Sequence, residues 1–124
     1  MREWIVAMLL LFGFLGLSAQ EKKYEMKMYF FVMLKKGPNR DQDTTKAKEL
    51  QKGHMANIQK MADMGKLAIA GPFMDDGDWR GIFILDVATK EEAEKLLTND
   101  PAIAAGRLAY EIHPWWGARG SKLP

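Results

Sequence analysis

Few residues in this chain can do chemistry, and the first to explain is His54. It lies in Gly53-His54-Met55-Ala56-Asn57-Ile58, in the middle of the longest helix the sequence can make. Leu50, His54, Ile58 and Met61 recur at spacings of four, four and three, so they share one helical face. That face is predicted to be buried. Leaving an imidazole unpaired among Leu, Ile and Met costs on the order of 1–3 kcal/mol. His54 is therefore either a core residue tied to a backbone carbonyl or a proton-transfer group standing in a cavity.

The other polar clusters point less far. His113, with Trp115 and Trp116, could line a pocket mouth or bind an aromatic ligand, or could close a barrel end or pack at a dimer interface. Asp75, Asp76 and Asp78 flank Gly77 but lack the ligand spacing of a calcium loop, and read as a solvated hairpin tip. Two histidines far apart argue against zinc. No Ser-His-Asp pattern, nucleotide-binding Gly-rich loop or flavin signature is present, so neither a metal nor a cofactor is expected.

The elements that must position His54 follow from periodicity. Tyr24 to Leu34 reads as a strand with Met26, Met28, Phe30, Val32 and Leu34 on one face, and Tyr29, Phe31 and Met33 on the other. Gly37-Pro38-Asn39 opens a loop, and Asp43, Thr44 or Thr45 caps the helix that runs to about Met64 and stops at Gly65. Lys66 to Gly71 and Trp79 to Val87 are predicted to form a hairpin, turning at Asp76-Gly77. Thr89 to Glu92 is a capping box, and its helix carries Ala93, Leu96 and Leu97 inward. Asn99 to Ala102 makes a turn, with one more helical turn to Ala105. Arg107 to His113 is the last strand, and Pro114-Trp115-Trp116-Gly117 leads into a loose polar tail.

The order β-α-β-β-α-β predicts an α+β, ferredoxin-like sandwich with both helices on one face of an antiparallel sheet. The other face is then lined by Tyr29, Phe31 and their neighbours, an apolar patch larger than soluble monomers tolerate. Pairing of two such sheets in a homodimer is the expected way to cover it.

The 124 residues amount to one domain. Residues 1–19 read as a signal peptide, with Arg2, an apolar run from Trp4 to Leu17 and Ser18-Ala19 before the cut. The run is short for a membrane span, which needs ~20 apolar residues, although an uncleaved anchor is the alternative. Residues 20–124 are then the mature domain, secreted or periplasmic and free of the membrane. Absence of cysteine leaves its fold to packing alone. The net charge is +2, with basic and acidic residues interleaved, so no nucleic-acid surface is expected.

From about Tyr24 to Trp116 the sequence resembles the YciI-related (YCII) family of small dimeric α/β-barrel proteins. The resemblance rests on Gly53-His54-Met55-Ala56-Asn57-Ile58, Ala70-Gly71-Pro72-Phe73, Glu91-Glu92-Ala93, and Asp100-Pro101-Ala102 followed by Ala105-Gly106. It implies a dimeric ferredoxin-like barrel and an active site built from His54 and Asp100. A carboxylate bonded to one imidazole nitrogen fixes the tautomer and raises the basicity of the other, which suits proton transfer. The alternative is that Asp100 merely caps the turn containing Pro101 while His54 donates to a carbonyl. Tyr29, Phe31 and Arg80 are the expected substrate-binding walls. The function implied is a cofactor-independent lyase or isomerase acting on a small organic substrate, a lactone or unsaturated acid. The alternative is a non-catalytic small-molecule-binding module of the cell envelope.

Overall fold

Strand β1 (Met26–Lys36) is the axis of a four-stranded antiparallel sheet in the computed structural model, which describes residues 23–124. The expected leader, residues 1–19, lies outside the described residues. The elements that follow are α1 (Thr44–Asp63), β2 (Leu67–Pro72), β3 (Trp79–Leu85), α2 (Lys90–Thr98), α3 (Pro101–Ala104) and β4 (Leu108–Ala118). The sheet order is β2-β3-β1-β4. This is the ferredoxin-like α+β sandwich expected from the element order.

Strand parity sorts the sheet into two faces. Phe30, Val32 and Leu34 of β1, with Phe83 and Leu85 of β3, face the helices and pack with Met61 of α1 and Ala93, Leu96 and Leu97 of α2. Tyr29, Phe31 and Met33 alternate to the other face, where Phe31 pairs with Ile84 and Met33 with Ile82. No described helix covers that side. Trp115 lies against Tyr29 there, with ring centroids 6.1 Å apart, which leaves Tyr29 buried.

The capping predictions resolve to single residues. Asp43 caps α1, its carboxylate accepting from the Lys46 amide at 2.8 Å. Gly65 ends the helix with a left-handed φ of 72°. Thr89 caps α2, accepting from the Glu92 amide, while the Glu92 carboxylate reaches back to the amide of Ala88, one residue beyond the usual box partner.

Two expectations are corrected. The last strand does not stop at His113, and Pro114-Trp115-Trp116-Gly117 belongs to it and is not the lead into the tail. Strand β4 continues to Ala118, pairing Trp115 with Tyr29, Trp116 with Met28 and Ala118 with Met26. Because β4 is an edge strand, its ladder donors are needed on one side only, and proline is tolerated. On α1, the buried set is Leu50, His54, Asn57 and Met61, with Ile58 only half-buried. Asn57 is inside because its side-chain amide donates to the Leu96 carbonyl at 3.2 Å, joining α1 to the end of α2. No described helix is long and apolar enough to cross a membrane.

Candidate active site

His54 and Asp100 meet because of a glycine. Gly53 sits mid-helix, where it costs about 1 kcal/mol relative to alanine. A Cβ there would lie 2.6 Å from Pro101 Cγ, so only glycine lets Pro101 rest on α1. Asp100, next to Pro101, is thereby set beside His54.

The Asp100 carboxylate is fully buried and has two partners. Its Oδ1 accepts from the Ala102 amide at 2.8 Å, capping α3, and its Oδ2 is hydrogen-bonded to His54 Nδ1. The cap and the pair, which the sequence posed as alternatives, coexist on the two oxygens of one side chain. An ionised carboxylate only accepts, so Nδ1 carries a proton and the neutral ring has its lone pair on Nε2. Phe83 stacks on the ring, at 6.2 Å between centroids and 26° between planes. Among the described residues Nε2 has no hydrogen-bond partner, yet no buried side-chain nitrogen or oxygen is left unsatisfied, so Nε2 is open to the space in front of it.

That space is a cavity of about 400 Å³ between α1 and the sheet. Leu34, Ile58 and Phe83 give it apolar walls, and Ala70, Gly71 and Pro72 form its rim. Its charged wall is basic: Arg40, Arg80 and Arg107 all line it. Burial, then the neighbouring guanidiniums of Arg107 and Arg80, pull Arg40 below the ordinary arginine value, while Asp76 acts the other way. Arginine nevertheless stays charged in proteins.

Of the expected site residues, His54 and Arg80 line one cavity, and Asp100 is buried behind His54. Tyr29 and Phe31 are not there. They belong to the opposite face of β1, and the cavity takes Leu34 from the helix-facing parity instead. Tyr29 lines a separate cleft with Ile84 and Trp115. His113 is also on that far face, exposed and 3.7 Å from Glu111. Sequence reasoning missed Arg40, Arg107 and Phe83. For Phe83 the signal was present, since it shares a sheet face with the core residues of β1. Among the described residues no group of three or more His, Asp or Glu side chains is placed to hold a metal ion.

The chain belongs to the YCII-related domain family, whose family model matches residues 28–116. No curated protein matches it. Among solved structures it is similar to the 5-chloro-2-hydroxyhydroquinone dehydrochlorinase of Burkholderia phenoliruptrix AC1100, determined in complex with 2,5-dihydroxybenzoquinone. The two are 21% identical over 69% of this chain and 92% of that one, with a TM-score of 0.51. At that identity the likeness establishes the fold.

Proposed function

We propose that this protein is a cofactor-independent lyase or isomerase that moves a proton on a small organic substrate, a lactone or an unsaturated acid, bound in front of His54. The observation that carries the reading is the Asp100–His54 hydrogen bond with Nε2 free at an apolar cavity. Nε2 takes a proton from a carbon next to the substrate carbonyl, and the C–H electron pair moves into that carbonyl to give an enolate. In an isomerase, Nε2–H returns the proton to another carbon of the same skeleton. In a lyase the enolate electrons expel a leaving group from the adjacent carbon. Asp100 holds the ring in the reactive tautomer and offsets the charge on the imidazolium. Arg80 contacts the substrate. The dehydrochlorinase, a fold neighbour acting on a small hydroxylated ring, supports this choice of chemistry.

The test is a screen of small lactones and unsaturated acids for proton exchange with deuterated water, followed by His54→Ala on any substrate found. Loss of exchange with binding kept within about tenfold is expected for an interaction made in the transition state. Binding lost together, with no turnover of any compound, would favour the envelope binding module.

Two further parts of the proposal concern the assembled protein. A homodimer formed through the uncovered sheet face would bury the half-buried Phe31, Met33 and Ile82, which no described helix covers. Light scattering of the mature chain at micromolar concentration tests this, and the mass of a single chain would refute it. Export to the periplasm or beyond rests on the residues from Trp4 to Ala19. Mass spectrometry of the protein from its native host should find a chain that starts at Gln20.

A further inference from the structure

Three of the four described arginines line the same cavity as His54, and no lysine does. They come from three separate places: Arg40 from the loop between β1 and α1, Arg80 from β3, and Arg107 from the turn before β4. Their meeting is built into the backbone. The Gly37 amide donates to the Arg107 carbonyl at 2.8 Å, and the Asn39 amide to the Gly106 carbonyl at 2.9 Å. Gly106 turns with a left-handed φ of 76°, and a Cβ on it would press on the Asn39 side chain. Arg40 Nη1 then donates to the Arg107 carbonyl at 2.7 Å.

The protein orients these guanidiniums mainly through neutral acceptors. Arg107 donates to the Gln42 side-chain oxygen at 3.0 Å, and Arg80 reaches the carbonyls of Asp75 and Gly77 at 3.4 and 3.3 Å. All these acceptors are neutral. Among the described residues, the carboxylate within ion-pair distance of any of the three is Asp76, 3.7 Å from Arg80 and almost wholly in solvent. Asp100 cannot serve, since both its oxygens are engaged behind His54. Three like charges around a half-enclosed apolar space repel one another, and for Arg40 that repulsion adds to burial, the larger cause, in lowering its proton affinity.

We propose that Arg40, Arg80 and Arg107 form an anion subsite that selects small organic acids, binding the carboxylate while the carbon skeleton lies over Leu34, Ile58 and Phe83 in front of His54. The proposal rests on the cavity being the substrate site and narrows its substrate to a carboxylate. A guanidinium has more N–H groups than these bonds use, and its planar fork matches a carboxylate. Size agrees: about 400 Å³ is in the range of small-molecule sites and fits a compact acid.

The experiment is calorimetric titration of the mature protein with benzoate, its neutral isostere benzamide, and inorganic phosphate. Benzoate should bind at least about tenfold more tightly than benzamide, and the preference should shrink as salt rises. Arg40→Gln and Arg107→Gln should each weaken benzoate about tenfold and leave benzamide unchanged. Arg107→Lys keeps the charge without the fork, and guards against a Gln variant that fails to fold; it too should weaken benzoate. His54→Ala should keep the benzoate preference. Equal binding of the two isosteres, no binding at tens of millimolar, phosphate binding as tight as benzoate, or arginine variants without effect would each overturn the subsite. Absence of turnover for every acid would count against the proton-transfer reading alone, because the titration does not depend on it.

Discussion

Pro101 rests directly on Gly53, one residue before His54, so closely that a Cβ at Gly53 would approach Pro101 Cγ to 2.6 Å. The register of the His54–Asp100 pair therefore depends on a residue with no side chain. Gly53→Ala should gain about 1 kcal/mol of helix propensity and lose more than that by overpacking, since the proline ring is rigid and cannot rotate away. Net destabilisation of about 1 kcal/mol in urea unfolding is expected. A variant more stable than the parent would show that Pro101 yields freely.

Asp100 has two tasks, and two substitutions separate them. Asp100→Ala removes the cap of α3 and the partner of Nδ1, and should cost about 1–3 kcal/mol in stability. Asp100→Asn can keep the cap through its oxygen while its amide donates to Nδ1, which puts the ring proton on Nε2. That variant should fold nearly as well as the parent yet lose about 10²- to 10⁴-fold in turnover of any substrate found. Nitrogen-15 NMR of the imidazole reads the tautomer directly. An Asn variant with an unprotonated Nε2 and full activity would refute the orienting role.

The parts of this design that were legible in the sequence are those governed by local periodicity. Alternation in β1 gave the two faces correctly, and the helix spacing put His54 inside. What alternation does not say is which face holds the cavity. Tyr29 and Phe31 suit a cavity wall by residue type, but their parity turns them to the far face, whereas the cavity lies between α1 and the sheet. Arg40 and Arg107 were invisible for another reason. They sit in loops whose approach depends on the hydrogen bonds of Gly37 and Asn39 to residues 106 and 107, contacts between segments far apart in the chain. Pro114 reads as a strand breaker unless the strand is known to be an edge.

Acid should weaken the fold through Glu92. Its hydrogen bond with Lys66, and then that with the Ala88 amide, hold its carboxyl below the ordinary value of 4.5. The unfolded chain thus binds a proton more readily than the folded one. The stabilisation from Glu92 is complete above about pH 4.5 and is lost as the pH falls through the lower, folded-state value. Glu92→Gln should melt below the parent at pH 7, and the gap should close toward pH 3. A gap that stays constant across that range would mean the carboxylate charge contributes nothing.

Among the described residues Asn57 is the remaining buried polar side chain beside His54 and Asp100, and its single bond goes to Leu96, in the last turn of α2. Carbonyls there have no partner within the helix, so Asn57 acts as a cap delivered from a neighbouring helix. Asn57→Ala should cost about 1–3 kcal/mol by orphaning that carbonyl. Asn57→Asp should cost more, because a carboxylate turned toward a carbonyl oxygen places two acceptors together in a buried site. Because α2 leads into Asp100, the Asp variant should also disturb the imidazole signals of His54. Denaturation midpoints that ranked Asp above Ala would show that the buried amide donates nothing that the fold requires.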